Sequence, residues 1–190
     1  LPTLAELGLD RGGYAVATLH RPSNVDDPAK LAALLAALTA ASERLPIDFP
    51  MHPRTRARMT DAGLTVGAAV RIIEPLGYLQ FLGLMSGCRL MLTDSGGIQE
   101  ETTALGLPCF TLRDNTERPI TIDEGTNTLL GANPAAIVPA VDETLRGGGK
   151  AGRVPDGWDG RAAERIADLV VAGFPTMIAP PASSDGGAAA

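Results

Sequence analysis

Along the chain, short apolar runs alternate with longer stretches in which apolar residues recur every three or four positions. That alternation is the mark of a parallel sheet whose strands are joined by crossover helices. The first run, Tyr14-Ala-Val-Ala-Thr-Leu19, reads as a strand. After it, Asp27 is placed to cap a helix that opens at Pro28, where a missing N–H costs nothing, and Leu31, Leu34, Leu35 and Leu38 then share one face. Ile47 to Met51 predicts a second strand closed by Pro50 and Pro53, and Arg54 to Ala62 a polar helix with little apolar face. Arg71 to Ile73 predicts a short third strand, Tyr78 to Ser86 a helix, and Leu90 to Thr93 a buried strand ending at Asp94.

The pattern continues with a helix over Ile98 to Leu105 that Gly106 can terminate, and a strand over Cys109 to Leu112. Thr126 to Leu130 adds a short last strand, and Pro134 to Arg146 a helix with Ile137, Val138, Val141 and Leu145 inward. Gly147-Gly-Gly-Lys150 looks like a phosphate loop, but it lacks the earlier Gly and the following Ser/Thr and comes after a helix, so it reads as a flexible connection. Arg161 to Val171 predicts a closing helix, and from Pro175 onward the rising Pro, Ala, Ser and Gly content predicts disorder. There is no internal repeat.

Composition narrows the class. The chain has 190 residues, 45% of them hydrophobic, enough for one packed domain and too few for two full ones. A net charge of -6 without a Lys/Arg cluster, together with seven aromatics and two histidines, offers neither an electrostatic footprint nor a stacking platform for nucleic acid. No apolar run approaches the ~20 residues of a membrane span, and the start lacks the basic region of a signal peptide. Cys88 and Cys109 sit in apolar surroundings and read as buried thiols of a reducing compartment. A cytoplasmic protein is expected. The chain also begins without Met, which fits a piece of something longer.

In a parallel sheet ligands bind beyond the carboxyl ends of the strands, so the residues directly after each apolar run carry the chemistry. Here those are Thr18-Leu-His20-Arg21-Pro-Ser23-Asn24, His52-Pro-Arg54, Thr93-Asp94-Ser95-Gly96-Gly97-Ile-Gln99-Glu100-Glu101 and Arg113-Asp-Asn-Thr116-Glu117-Arg118. Both histidines fall on this edge. Ser95-Gly96-Gly97 lies between a strand and a helix, where unpaired amides and the helix dipole favour a phosphate. The glycines admit two explanations: close approach of an anion, or a tight turn needing unusual backbone angles. Glu101, a turn further on, is positioned to accept two ribose hydroxyls, whereas Glu100 reads as complementing the helix dipole. Arg21, Arg113 and Arg118 can offset diphosphate charge. Together these residues argue for a nucleotide-diphosphate site.

Thr18-Leu-His-Arg-Pro-Ser-Asn24, Pro50-Met-His-Pro-Arg-Thr55, Pro75-Leu-Gly-Tyr78 with Phe81, Thr93-Asp-Ser-Gly-Gly-Ile-Gln-Glu-Glu101, and Arg113 with Thr116-Glu-Arg-Pro119 and Gly125-Thr-Asn127 resemble the carboxyl-terminal half of the UDP-N-acetylglucosamine 2-epimerases. The resemblance runs from Tyr14 to about Gly131, in the family's order. It implies an α/β fold, a Rossmann-like parallel sheet with helices on both faces, forming one lobe of a two-lobed glycosyltransferase-B-type fold. Residues 1–174 are then a UDP-binding lobe and 175–190 a disordered tail. It also implies that Ser95, Gly96 and Gly97 hold the UDP diphosphate, Glu101 the ribose, and Phe81 with the backbone near Leu76 the uracil. His20 would be the catalytic residue of this lobe, assisting departure and return of UDP. Arg21, His52, Arg113, Glu117 and Arg118 match motif positions of the substrate site or a regulatory one.

The implied reaction inverts carbon 2 of the sugar through elimination and re-addition of UDP, making UDP-N-acetylmannosamine for surface polysaccharide, with no metal or redox cofactor. The family's acidic residues for proton transfer belong mainly to the amino-terminal lobe, so this chain alone is expected to bind UDP weakly and to turn over little. A homodimer is implied for the full-length enzyme, with no nucleic-acid or membrane partner. Ser23 departs from the family's usual Glu in His-Arg-x-Glu-Asn. A hydrolysing relative that releases free N-acetylmannosamine, a glycosyltransferase lobe, and a nucleotide-sugar sensor without turnover remain as alternatives.

Overall fold

The computed structural model describes residues 3–173. They fall into two units, one ending at Pro155 and one beginning at Asp156. The first unit opens with a short helix, α1 (Thr3–Leu7), and then follows the alternation read from the sequence. Its elements are β1 (Ala15–Thr18), α2 (Pro22–Val25), α3 (Pro28–Ser42), β2 (Ile47–Pro50), α4 (Pro53–Asp61), β3 (Val70–Ile73), α5 (Tyr78–Gly87), β4 (Met91–Thr93) and α6 (Gly96–Leu105). β5 (Cys109–Thr111), α7 (Pro119–Asp123), β6 (Asn127–Leu129), a 3-10 turn (Pro134–Ala136) and α8 (Ile137–Leu145) complete it.

The six strands form one sheet in the order β3-β2-β1-β4-β5-β6, every neighbouring pair parallel. This is the Rossmann order, in which the chain moves outward from β1 in one direction and then, from β4, in the other. Successive strand residues face opposite sides, so each strand feeds two cores. Ala15, Ala17, Phe49, Leu92 and Phe110 pack with Leu31, Leu34, Leu35 and Leu38 of α3 and Ile137 and Val141 of α8. Val16, Met91 and Cys109 pack with Leu84 and Met85 of α5 and Ile98 of α6. Both cysteines are free and buried, and desolvation pushes the Cys109 thiol up to about 12, which keeps it neutral and inert. Among the described residues no helix is long and apolar enough to cross a membrane.

The predicted stops and starts hold where a physical device sets them. The Asp27 carboxylate accepts from the amides of Ala29 and Lys30 at 2.9 and 3.3 Å, and Pro28 opens α3. Gly106 ends α6 with φ 66°, a left-handed angle that glycine adopts without strain. The second strand ends at Pro50, paired with Ile73, so it closes at that proline as expected and stops one residue short of Met51. In α8 the buried face is Ile137, Ala140, Val141 and Thr144, while Leu145 is exposed. Thr144, seven residues after Ile137, returns to the buried face, whereas Leu145, one residue further, is carried about 80° away from it. Gly147 to Lys150 is a connection, with the Lys150 ammonium donating to the Asn127 carbonyl at 3.2 Å.

The second unit contains α9 (Ala162–Val171), where the sequence predicts its closing helix. Asp159 accepts from the Arg161 amide and from the Arg165 guanidinium, fixing the entry to that helix. The tail expected beyond Pro175 lies outside the described residues.

Candidate active site at the sheet switch point

β1 and β4 lie side by side, but the chain leaves their carboxyl ends toward opposite faces. A crevice opens there in any sheet of this order. The residue that joins its two sides is Asp94, fully buried directly after β4. Its carboxylate accepts from the His20 amide at 3.1 and 3.0 Å, the Arg21 amide at 2.9 Å and the Asn24 side chain at 3.2 Å. His20 Nδ1 lies 2.9 Å from Asp94 Oδ1. Burial works against the charge on Asp94, yet the His20 imidazole and the His20 and Arg21 amides outweigh it and hold the carboxyl below its ordinary range. With Nδ1 donating to Asp94, the imidazole presents Nε2 away from the carboxylate, the arrangement of a proton-transfer group oriented by a buried acid.

His52 joins from the next strand. It caps α4, its Nδ1 accepting from the Arg54 amide at 3.1 Å, and its ring centroid is 5.8 Å from that of His20. Arg54 and Arg58 both donate to Asp26, which ties α4 to the end of α2 and keeps the two imidazoles close.

α6 supplies the anion-binding element. Thr93 Oγ1 accepts from the Ser95 amide at 3.0 Å, and no side chain caps the helix, so the amides that follow are left to solvent or to a ligand. Neither Gly96 nor Gly97 has a positive φ, which removes the tight-turn explanation for the pair. A Cβ on Gly97 meets nothing within 4 Å, and one on Gly96 meets only Glu117 Oε2 at 3.9 Å and Arg21 Nη2 at 4.0 Å. The absent side chains leave open space between a helix N-terminus and a guanidinium, which suits a phosphate.

The remaining predicted residues surround this point. Arg113 donates to Glu117 at 2.9 and 2.6 Å, and that guanidinium holds the Glu117 carboxyl down at about 2. Glu100 is not in the first turn of α6; it pairs with Arg118 at 3.0 Å, so its partner is a guanidinium and not the helix dipole. Glu101 is partly exposed on α6, and its charge with its hydrogen bond raises the pKa of exposed Tyr78 at the start of α5. Phe81 and Leu76 pack partly buried against the α5 and α6 core.

Three residues of the site were not singled out from the sequence. Asp94 and Asn24 form the joint just described, Asn24 also donating to the Leu112 carbonyl at 2.9 Å. Gln99 is fully buried; its Oε1 accepts from Thr116 at 2.5 Å and Asn127 at 3.2 Å, and its Nε2 donates to the Ser95 carbonyl at 3.1 Å. Gln99 therefore fastens the arginine loop after β5 to the start of α6. The available signal was only that polar residues stand inside the quoted motifs at positions that fall within the core. Two larger recesses, about 490 Å³ beside β6 and about 570 Å³ between α4 and the exit of β3, lie off the switch point.

Comparison with known proteins identifies the family. The model of the family described as UDP-N-acetylglucosamine 2-epimerase matches residues 2–171. Over 139 residues the chain is 42% identical to the UDP-N-acetylglucosamine 2-epimerase of Methanococcus maripaludis, covering 70% of this chain and 38% of that one. It is 38% identical over 168 residues to the UDP-2,3-diacetamido-2,3-dideoxy-D-glucuronate 2-epimerase of Pseudomonas aeruginosa, covering 83% of this chain and 45% of the other. The crystal structure of the Methanocaldococcus jannaschii UDP-GlcNAc 2-epimerase in complex with UDP-GlcNAc and UDP aligns with a TM-score of 0.79 at 38% identity, over 90% of this chain and 48% of that chain. The chain spans about half or less of the length of these relatives.

Proposed function

Because the chain belongs to the UDP-N-acetylglucosamine 2-epimerase family, we propose that it is the nucleotide-binding lobe of an enzyme that interconverts UDP-N-acetylglucosamine and UDP-N-acetylmannosamine. The observation that carries the reading is the open N-terminus of α6 facing Arg21, with Glu101 on the same helix. The α6 amides and Arg21 receive the diphosphate, Glu101 accepts the ribose hydroxyls, and the exposed edges of Leu76 and Phe81 border the uracil.

In the proposed reaction a base removes the proton on carbon 2 of the sugar. The electron pair forms a carbon 1–carbon 2 double bond as the glycosidic oxygen leaves with UDP. Re-addition of UDP at carbon 1, with a proton delivered to the opposite face of carbon 2, gives the epimer. His20, held by Asp94, stands where it can give a proton to the departing diphosphate and take it back on return. Arg21 offsets the charge that develops there. The carbon 2 base is assigned to the part of the enzyme outside this lobe, so the lobe alone binds UDP weakly without turning it over. We place the enzyme in the cytoplasm, as a homodimer when full length, feeding surface polysaccharide synthesis.

Titration of the isotopically labelled chain with UDP, followed by NMR, tests the site. Amides of Ser95 to Gly97 and of Glu101 should move, and Glu101→Ala should weaken UDP by about 1–3 kcal/mol while leaving the spectrum folded. UDP shifts confined to another surface would remove the proposal.

A further inference from the structure

Leu84 and Met85 of α5 and Ile98 of α6 share one core, so these two helices lie together on one face of the sheet. Tyr78 is the first residue of α5. The residue before it, Gly77, donates its amide to Gln80 Oε1 at 3.2 Å and accepts from the Phe81 amide at 2.8 Å, which fixes the backbone that carries the Tyr78 ring. The ring is 64% exposed and packs in neither core, so the fold gains little from it. What it does hold is the Glu101 carboxylate, to which its hydroxyl donates. The charge of Glu101, and then that hydrogen bond, raise the Tyr78 pKa, which keeps the phenol protonated and a donor.

Glu101 differs from its acidic neighbours. Glu100 pairs with Arg118 and Glu117 with Arg113, whereas Glu101 makes no ion pair among the described residues. A guanidinium would take both carboxylate oxygens, but a single phenol leaves acceptor capacity for two more hydroxyls. Glu101 also stands four residues after Gly97, on the same face of α6 and about 6 Å further along its axis, and helical side chains lean back toward the N-terminus. That direction leads to the open space at Gly97, where a Cβ would meet nothing within 4 Å. A glutamate without a partner samples many rotamers, and a bond from the neighbouring helix restricts them before a ligand arrives.

We propose that Tyr78 is a positioning residue: its hydroxyl holds the Glu101 carboxylate where the two ribose hydroxyls arrive, and so sets a preference of the lobe for ribonucleotides over nucleotides that lack those hydroxyls. The proposal deepens the nucleotide reading above and rests on it.

The labelled chain is titrated with UDP and with 2′,3′-dideoxy-UDP, which carries the same base and diphosphate without the hydroxyls. The parent should prefer UDP, and Glu101→Ala should remove that preference. Tyr78→Phe keeps the ring and loses only the donor. It should weaken UDP about threefold to tenfold, the size of one hydrogen bond, while leaving the dideoxy affinity and the melting temperature unchanged. Added to Glu101→Ala, it should have no further effect on UDP, because the group it acts through is gone. Parent-like UDP binding by Tyr78→Phe overturns the proposal. So does equal weakening of both ligands, which would make Tyr78 a contact of the base or diphosphate, and so does an effect that persists without Glu101; all three leave the nucleotide reading standing. If the parent binds both ligands equally while UDP still moves Ser95 to Gly97, the ribose assignment of Glu101 falls and the role of Tyr78 with it. If UDP moves none of those amides, the nucleotide reading itself falls.

Discussion

Adding one methyl group at Gly96 should strengthen the fold and weaken the site, and the two effects can be read separately. Gly96 is the first residue of α6 and does not have a positive φ, and a Cβ there meets nothing nearer than 3.9 Å. Gly96→Ala therefore costs no strain and narrows the unfolded ensemble, for a gain of about 0.4–1 kcal/mol. For a chain of this size that is a rise in melting temperature of roughly 1–4 °C. The same methyl projects between the α6 amides and Arg21, into the space a phosphate must enter. Losing one charge-assisted hydrogen bond costs about 1.5–3 kcal/mol, roughly tenfold to a hundredfold in the dissociation constant of UDP. Thermal unfolding and calorimetric titration of one preparation give both numbers. Gly106→Ala is the control: with φ at 66° it should destabilise by about 1–2 kcal/mol and leave UDP affinity unchanged. If Gly96→Ala is as stable as expected and binds UDP as well as the parent, no phosphate sits at this helix.

Two further substitutions test the joint beneath the site. Asp94→Asn should cost about 1–3 kcal/mol at pH 7, because the amide cannot accept all four hydrogen bonds that the carboxylate receives. The folded pKa of Asp94 is depressed, so its contribution is present above the unfolded carboxylate value near 4 and is lost as the pH falls through the lower folded value; the gap between parent and variant in urea unfolding should shrink from pH 7 to pH 3. A gap independent of pH would mean that folding leaves the Asp94 pKa unshifted, and a gap that widens toward pH 3 would mean that it is raised. His20→Asn, placed in a full-length enzyme containing this lobe, should lower kcat more than it raises KM, whereas equal losses would make His20 a binding residue only.

Much of the fold was legible because local physics dictates it. Strand and helix periods separate cleanly where both sheet faces are covered, and Asp27, Pro28 and Gly106 mark boundaries by chemistry that acts within a few residues. The departures arise where helical phase or length decides. Leu145 turns outward because, eight residues after Ile137 in the same helix, it has drifted about 80° from the face that Thr144 keeps buried. The short helices α1, α2 and α7 have too few residues to show a period at all.

The site divides in the same way. Residues that face a ligand stand in the loops after the strands, where their position alone announces them. Asp94 and Gln99 stand in the same stretch, but position does not announce what they hold, because their partners lie far along the sequence: Asp94 reaches His20 across 74 residues, and Gln99 reaches Asn127 across 28. Contacts of that kind leave no periodic trace, yet they decide what the exposed residues can do. Fixing the His20 imidazole, the start of α6 and the arginine loop against one another is done by buried hydrogen bonds that are already in place in the folded chain. The entropy of arranging those three loops is therefore spent in folding, and an anion arriving at α6 meets donors and an imidazole that need no further ordering. This is the physical reason to expect Asp94→Asn to weaken UDP binding as well as stability, even though Asp94 is buried and reaches no ligand itself.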